Sequence, residues 1–523
     1  MTAMITVANP PLQSESLSGP FECNWDFSPA DNEDRQWTPH TLGCNIAKSH
    51  AAHGFSLLFA GKSSLAMNLN TCRRPAIRAL IWLAIFLATV SVASASWKEK
   101  VLHSFQGLPD GAYPAGGVVF DQTGNLYGAT TDGGADDCPG IAQCGTVYQL
   151  TPPAKKGDPW IETILYTFLG KNHNDGETPA GGVIIDQAGN LYGTTAYGGT
   201  GNCVLLGTLV GCGTVYEVSP PKVKGEPWTE TVLYSFATAK QGYLPNGDLA
   251  FDSAGNLYGA TTFGGTKGTT CDEFYGGQCG VVFKLSPPRQ KGGKWTEKVL
   301  HSFAGGKDGA NPNGALILDS KGAVYGTTYM GGYNCPHNSN QGCGTVFELK
   351  PPATTGSAWT ENVMYRFNPA RSYEAWPMAG LIMDRNGHLF GTTHEDTVFR
   401  LAPNSKKKGS WTETILYSFK GKGASYALDA PLIFDSSGNL YTTAYGGYGG
   451  SLDGNVFRLR PPTGNGSVWT IDVLYSFADS PDGALPAAGL IFDQHGDLYS
   501  TTQAGGTGQA CQGGCGTVFE VSP

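Results

Sequence analysis

The segment Trp97–Phe105, WKEKVLHSF, returns six more times along the chain. The further copies begin at Trp160, Trp228, Trp295, Trp359, Trp411 and Trp469. Self-similarity at this spacing is typical of repeat architectures, in which one supersecondary unit recurs. The copies therefore predict a fold of seven equivalent units, and they limit what any one copy can do alone.

Each unit contains four short runs that have the character of strands. The third unit shows them as Gly247–Asp252, Gly255–Thr262, Val281–Leu285 and the tryptophan-led Thr296–Phe303. Runs of about 4–8 residues rich in Val, Ile, Tyr, Phe and Thr, bounded by Gly and Pro, indicate β-strands. In chain order they are called a, b, c and d.

An aspartate and a glycine three residues later mark the turn between a and b in every unit. Aspartate can accept hydrogen bonds from the amides of such a turn, and glycine supplies its left-handed residue. A calcium site is the alternative reading, but no copy has the dense carboxylate spacing of a calcium loop. We therefore assign the aspartates to the turns: Asp121, Asp186, Asp252, Asp319, Asp384, Asp435 and Asp493.

The order of the runs predicts how the array closes. The repeats begin with a lone d, Lys98–Phe105, and end with a c, Gly516–Val521. A ring in which the first d completes the last a–b–c set leaves no sheet edge unpaired. The sequence predicts an all-β, seven-bladed β-propeller of four-stranded blades. In this topology the d–a and b–c loops share one face, which is the expected binding face.

The first 95 residues precede the repeats. Arg73, Arg74 and Arg78 precede the apolar run Ala79–Val92, and Ala93–Ala95 has the small-residue pattern of a cleavage site. We expect a signal peptide at 67–95 and a mature propeller at 96–523, secreted or periplasmic; a retained N-terminal anchor is the alternative. Residues 1–66 are expected to be an unstructured leader or a gene-model artefact.

Ten of the thirteen cysteines form close pairs in b–c loops. Zinc would require four converging ligands, which pairs distributed around a ring cannot supply. Local disulfides are expected instead, and they fit an oxidising compartment. The predicted pairs are Cys138/Cys144, Cys203/Cys212, Cys271/Cys279, Cys335/Cys343 and Cys511/Cys515. The fifth and sixth units lack a pair, and the fifth b–c loop shortens to His394–Asp396, so a groove could open there.

Candidate ligand-binding residues lie just after strand b, beside the Gly-Gly pairs. Exposed aromatic rings there would suit stacking on a sugar or a peptide, although ordinary loop packing is the alternative. The candidates on this rim are Tyr197, Phe263, Tyr329, His394 and Tyr445. His103 and His301 occupy the tyrosine position of strand d and are expected to face a neighbouring blade.

Composition excludes several classes of partner. The net charge is −9, only 15% of residues are charged, and no basic cluster repeats on one face, which argues against nucleic acid as a partner. No nucleophile elbow or zinc-protease motif occurs, so no catalytic residue, metal or cofactor is expected. We expect a monomer without a membrane span in the mature chain.

The repeat consensus, DGxxPxxGLIFDxxGNLYGTTxxGG followed by GTVFEL, resembles the GloVer (Gloeo/Verruco) tandem repeats of bacterial surface and secreted proteins. Its clearest copies are Asp175–Val218, Asp308–Leu349 and Asp482–Val521. It is similar, more distantly, to NHL and lactonase propellers. Such chains often end in a sorting anchor, whereas this one ends at Pro523, so release as a soluble protein is implied.

Two functions remain open at this level. The first is a binding or scaffold module for an extracellular glycan, peptide or protein, because seven similar blades show no blade-specific catalytic cluster. The second is a lactonase or lyase acting on carbohydrate, with a metal in the central channel. The a strands that would line such a channel are apolar apart from their turn aspartates, with Asp248 as the exception.

Overall fold

The chain forms two compact units, Met1–Ser94 and Ala95–Pro523. The computed structural model describes residues 41–44, 55–60, 64–66 and 97–523, the last range with gaps at 115, 135–143, 206–207, 269–270, 272–276, 291, 334–341, 355, 369–374, 395, 420–426, 447–452 and 464–467. In the first unit, the strands Thr41–Cys44, Phe55–Ala60 and Ser64–Ala66 form an antiparallel sheet. The interpretations of 1–66 as a leader and of 67–95 as a signal peptide stay predictions.

The second unit is a seven-bladed β-propeller of four-stranded antiparallel blades, as predicted. Strands A to D run in chain order from the central channel outward. Blade I comprises Val119–Phe120, Leu126–Thr130, Thr146–Thr151 and Ile161–Thr167. Blade II comprises Ile184–Ile185, Leu191–Gly198, Thr214–Ser219 and Thr229–Ser235. Blade III comprises Ala250–Phe251, Leu257–Phe263, Val281–Ser286 and Thr296–Ser302.

Blades IV to VI continue the same pattern, and blade VII takes its strand D from the start of the propeller. Blades IV to VII comprise Ala310–Leu318, Val324–Met330, Thr345–Lys350 and Thr360–Arg366; Ile382–Met383, Leu389–Thr393, Thr397–Pro403 and Trp411–Ser418; Ile433–Phe434, Leu440–Ala444, Asn455–Arg460 and Thr470–Ser476; and Ile491–Phe492, Leu498–Thr502, Thr517–Ser522 and Lys98–Ser104.

Ring closure by the first strand is confirmed. Lys98–Ser104 pairs antiparallel with Thr517–Ser522, in a register that sets Ser104 against Thr517 and Lys98 against Ser522. A β-bulge interrupts this ladder, as it does between strands C and D of the other six blades. The closing strand is therefore built like every other strand D, although it comes from the opposite end of the propeller sequence.

Strand A departs from the predicted single run. In most blades the regular part of strand A is only two residues long. In four blades a separate short strand precedes strand A and pairs with the chain at the end of strand B. These additional strands are Gly111–Ala112 with Asp132–Gly133, Gly176–Pro179, Tyr243–Pro245 and Gly483–Ala484 with Ala504–Gly505. The described residues of the propeller unit also form the hairpin Val204–Leu205/Thr208–Leu209 and the 3₁₀ helix Lys171–His173 outside the blades.

The interruption has a steric reason at the channel. Successive A segments meet there backbone to backbone, so a Cβ on Gly116 would lie 1.9 Å from the Gly182 nitrogen. At Gly247, whose φ is 96°, a Cβ would lie 2.9 Å from the carbonyl carbon of Gly314. Glycine permits this approach and the left-handed conformation, at the cost of regular pairing.

The core lies between blades. Among the described residues, seven hydrophobic clusters form, each from two neighbouring blades. The last residue of each WKEKVLHSF-like segment packs against a strand C ring of the next blade, with ring centroids 5.0–5.2 Å apart. Six of these pairs are edge-on, such as Phe105 on Tyr148, and the pair of Phe419 with Phe457 is tilted. The repeated segment is thus the element that joins blades, and aromatic packing stabilises each junction.

The turn aspartates have the local function that the sequence predicts. Asp186 Oδ1 accepts hydrogen bonds from the amides of Ala188 and Asn190 at 2.8 and 2.9 Å. Its Oδ2 accepts from the Asn190 side chain at 2.9 Å and from the Tyr192 hydroxyl at 3.1 Å. One carboxylate therefore fixes both the A–B turn and the start of strand B.

Candidate ligand-binding site at the channel mouth

A cavity of about 500 Å³ opens at the central channel, on the face that carries the D–A and B–C loops. Most of its wall is glycine and alanine, because the A segments approach each other closely. Besides Thr178 and Asp248, the polar side chains in this wall come from two sets of equivalent positions, which we call the inner ring and the outer ring. Their identities differ from blade to blade, unlike most of the repeat.

The inner ring is the residue six positions before each turn aspartate. In order from blade I to blade VII it comprises Ala115, Ala180, Asn246, Asn313, Met378, Asp429 and Ala487. The described members, from Ala180 onward, all line the cavity. Blades III to VI thus supply two amides, a thioether and a carboxylate, whereas blades VII and II supply methyl groups. The wall has a polar arc and a small apolar arc.

The two asparagines of the polar arc hold each other. Asn246 Nδ2 donates to Asn313 Oδ1 at 3.0 Å, and the same oxygen accepts from the Gly314 amide at 3.0 Å. These contacts fix the plane of the Asn313 amide. Both side chains are partly exposed to the cavity, where amide groups can pair with hydroxyl or amide groups of a ligand.

Two carboxylates complete the polar arc. Asp248 Oδ1 accepts from the Gly182 amide of the neighbouring blade at 2.6 Å, and burial raises the pKa of Asp248. Asp429 Oδ1 lies 2.8 Å from His394 Nδ1. The exposed fraction of the side chain is 39% for His394 and 19% for Asp429, so this acid–imidazole pair can be reached from solvent.

The outer ring is the residue ten positions after each turn aspartate, at or near the end of strand B. In blade order it comprises Thr131, Ala196, Thr262, Tyr329, His394, Tyr445 and Gln503. Thr131, Tyr445 and Gln503 line the cavity. The amides of Thr131, His394, Tyr445 and Gln503 donate to a carbonyl of the D–A loop in their own blade at 2.9–3.2 Å. Because the backbone is fixed in this way, the side chain can vary without disturbing the blade.

The five rim candidates fall into two groups. Tyr329, His394 and Tyr445 belong to the outer ring. Tyr445 lines the cavity, whereas His394 pairs with Asp429, which lines it. Tyr197 and Phe263 lie one residue later and do not line it. Phe263 is 7% exposed and stacks on Tyr243, with ring centroids 5.8 Å apart. The Tyr329 ring lies 6.1 Å from that of Trp376. Their role in binding stays a prediction.

Sequence reasoning missed Asn246, Asn313, Asp429 and Gln503. The predicted a runs are apolar, and Asn246, Asn313 and Asp429 each stand just before such a run. Gln503 directly follows strand B, and Asn313 lies inside the longer strand A that blade IV forms. A usable signal was present: Asn246 and Asn313 stand between a proline and a glycine, at a position that is alanine in blades I, II and VII.

Cysteines fix the loops around this mouth. The structure contains the Cys203–Cys212, Cys271–Cys279 and Cys511–Cys515 disulfides, with Cα atoms 5.0–5.1 Å apart. Cys144 and Cys343 are also disulfide-bonded, and their predicted partners, Cys138 and Cys335, lie outside the described residues. The carbonyl of the second cysteine accepts an amide of the next blade, for example Asn311 N to Cys279 O at 2.7 Å.

Metal-ligating side chains converge elsewhere. Across the part of the chain that is described, two groups of three His, Asp and Glu side chains bring ligand atoms within 4.8 Å of one another. They are His103, Asp110 and Glu162, and His301, Asp308 and Glu361. Both groups lie between blades, and none of their members lines the channel cavity.

Comparison with known families matches the repeat to one of them. The model of the Gloeobacter/Verrucomicrobia repeat matches residues 88–290 and 207–404, more than half of the chain. The chain belongs to this repeat family. The resemblance to GloVer repeats is thereby confirmed. No curated protein matches the chain.

Two solved structures show a distant likeness to this repeat protein. One is a Thermus thermophilus protein described as an oxidoreductase (glucose dehydrogenase), with 17% identity, a TM-score of 0.37, and coverage of 82% of this chain and all of that one. The other is PorZ, a surface component of the type-IX secretion system of Porphyromonas gingivalis, with 14% identity and a TM-score of 0.42. That match covers 92% of this chain and 51% of PorZ.

Within the described ranges, no helix has the length and apolar character needed to cross a membrane.

Proposed function

We propose that this protein is a secreted or periplasmic binding module whose channel mouth holds an extracellular carbohydrate. The observation that carries the proposal is the polar arc: seven similar blades differ from one another where they meet the channel, and Asn246, Asn313 and Asp429 occupy the positions of alanines. A cavity of about 500 Å³ falls in the range of small-ligand sites.

The chemistry of the arc favours a ligand with many hydroxyl groups. Amide and carboxylate side chains can donate to and accept from sugar hydroxyls, and Tyr445 offers an aromatic face beside them. The net charge of −9 disfavours an anionic ligand. The disulfides in the surrounding loops support an oxidising, extracytoplasmic compartment.

The test is a glycan array probed with the full chain, followed by calorimetric titration of any hit. Tyr445→Ala and Asn313→Ala are expected to weaken binding about tenfold or more, because each removes a wall group of the cavity. Tyr333→Ala is the matched control, an exposed aromatic residue outside the cavity wall, and is expected to bind as the wild type does. Hits on a peptide array alone, or equal binding by all variants, would contradict a carbohydrate site here.

The Asp429–His394 pair favours one second candidate, a lactonase or lyase. A carboxylate that orients an imidazole is a common general-base arrangement. If this candidate is right, carbohydrate lactones or uronate oligosaccharides will be turned over, and Asp429→Asn will lower kcat while binding is largely retained. Simple binding without turnover would exclude this candidate and leave the first in place.

A further inference from the structure

Six of the seven interfaces between blades contain a repeated polar contact that is separate from the channel. In these six, a strand D tyrosine or histidine of one blade faces a strand D acid of the next, and in four of them an aspartate of the D–A loop lies between the two. Between blades V and VI the acid is replaced by Ile471. Where the strand D residue is a tyrosine and the aspartate is present, the tyrosine hydroxyl donates a hydrogen bond to the aspartate carboxylate. Tyr166 donates to Asp175 Oδ2 at 2.8 Å, and Tyr475 donates to Asp482 Oδ2 at 2.8 Å.

Blade VII and blade I meet differently, because histidine replaces the tyrosine. His103 Nε2 lies 3.5 Å from Asp110 Oδ2 and 3.8 Å from Glu162 Oε1, which is beyond hydrogen-bonding distance. His103 Nε2 and Glu162 Oε1 are buried atoms with no hydrogen-bond partner. Three ligand atoms therefore surround a gap that a tyrosine hydroxyl fills elsewhere, and two of them are left unsatisfied.

The elements that carry these side chains are well fixed. His103 lies on the closing strand, and its ring packs edge-on against Phe105, with centroids 4.7 Å apart. Asp110 accepts the amides of Gln106 and Gly111 at 2.8 and 2.7 Å, which orient its carboxylate. Glu162 extends from strand D of blade I and is 16% exposed. Preorganised ligands of this kind reduce the ordering cost of binding an ion.

We propose that His103, Asp110 and Glu162 form a zinc site that ties the closing strand to blade I. Zinc binds imidazole nitrogen at about 2.0–2.1 Å and carboxylate oxygen at about 2.0–2.2 Å, which places tetrahedral ligand atoms about 3.4 Å apart. The observed separations of 3.5 and 3.8 Å approach that value. A single nitrogen with two carboxylates suits zinc, and solvent would complete the tetrahedron.

The other histidine interface provides a comparison within the same chain. His301 Nε2 already lies 3.2 Å from Asp308 Oδ1, within hydrogen-bonding distance. Arg366 brings positive charge close to Glu361. Both features oppose a second cation there, so the proposal concerns the His103 site, and His301 serves as its control.

The test uses the full chain without a polyhistidine tag, stripped with EDTA and titrated with ZnCl₂ at pH 7.5. The wild type is expected to bind one zinc ion, seen by calorimetry and by elemental analysis after gel filtration. His103→Tyr, which restores the side chain of the tyrosine interfaces, is expected to lower the affinity about tenfold or more. His301→Tyr is expected to bind one ion as the wild type does.

Two further variants keep the test decisive. Glu162→Gln preserves the shape of the side chain and is expected to lose zinc even if His103→Tyr folds poorly. Tyr166→His creates the same three ligands with Asp175 and Glu230, and it is expected to add a second ion. A wild type that retains no zinc, or zinc binding that survives unchanged in both His103→Tyr and Glu162→Gln, would overturn the proposal.

Discussion

A glycine on strand B faces an aromatic ring on strand C in each of the first five blades. In blade II the pair is Gly193 and Tyr216, and a Cβ on Gly193 would lie 2.3 Å from the tyrosine hydroxyl oxygen. Five blades use phenylalanine at the strand C position, whereas blades I and II use tyrosine. The hydroxyls of Tyr148 and Tyr216 are buried without a hydrogen-bond partner. Such groups cost free energy because they lose water and gain nothing in return.

Tyr216→Phe is therefore expected to raise the free energy of unfolding by about 1 kcal/mol, since it removes an unsatisfied hydroxyl and keeps the ring. Urea unfolding followed by fluorescence measures the change. Tyr166→Phe is the matched control; its hydroxyl donates to Asp175, so its removal is expected to lower the unfolding free energy by about 1 kcal/mol. A loss of stability in Tyr216→Phe would show that the hydroxyl is satisfied after all.

Residues with a local function were predictable from the sequence, and residues that act across blades were not. The turn aspartates accept amides two and four residues away, so their role is visible in a short motif. The cluster of His103, Asp110 and Glu162 instead brings together three segments from two blades. Leu244 is left-handed, with φ 56°, and its amide donates a hydrogen bond to the Cys212 carbonyl of the preceding blade, a long-range contact that no local rule predicts.

At the scale of elements, strand D is the same structure in every blade, and only its origin differs. Lys98 stands opposite Ser522 in blade VII, as Thr229 stands opposite Ser219 in blade II. The alternation of strand types along the chain was enough to predict this closure, because a ring is the arrangement that pairs every edge. The splitting of strand A was not predicted, since it follows from backbone contacts between neighbouring blades at the channel.

Two engineered disulfides test the closure with matched local geometry. Lys98→Cys with Ser522→Cys closes a loop over residues 98–522, whereas Ser219→Cys with Thr229→Cys closes one over 219–229. Chain entropy predicts that the first stabilises the propeller by about 3 kcal/mol more than the second. Urea midpoints of oxidised and reduced protein measure the difference. Equal gains in stability from the two disulfides would contradict the pairing of the first strand of the propeller with the last.

The whole molecule contains a circle of acids between its blades. Side-chain oxygens of Glu99, Glu162, Glu230, Glu297 and Glu361 are buried without hydrogen-bond partners. Burial, and to a smaller extent the nearby Asp175, raises the pKa of Glu230 to about 8. Burial and Asp482 likewise raise the pKa of Glu99 to about 8. The folded ring therefore favours the neutral form of acids that ionise near pH 4.5 when unfolded.

Stability is consequently expected to fall as the pH rises. The contribution of a neutral Glu230 is fully present below about pH 4.5, its ordinary pKa, and is lost as the pH rises through about 8. The pKa values of turn aspartates such as Asp121 are lowered, since their hydrogen bonds outweigh burial, so their contribution is lost only below about pH 4. The urea midpoint should be higher at pH 5 than at pH 8.

Glu230→Gln isolates one member of this circle. It is expected to raise the midpoint at pH 8 and to reduce the difference between pH 5 and pH 8, because glutamine does not titrate. Glu226→Gln, an exposed neighbour, is the control and is expected to leave the difference unchanged. A wild-type midpoint that is equal or lower at pH 5 would contradict the proposed protonation of the interfaces.

The closing strand also determines when the last blade can fold. The Thr507 amide donates to the Ser104 hydroxyl across 403 positions of sequence, and the neighbouring strands are equally far apart in the chain. During synthesis the first strand of the propeller must wait, unpaired, until the last one leaves the ribosome, and contacts of such long range form slowly. Any product that ends early is an open arc with two free edges, which makes incomplete chains candidates for aggregation or rapid degradation.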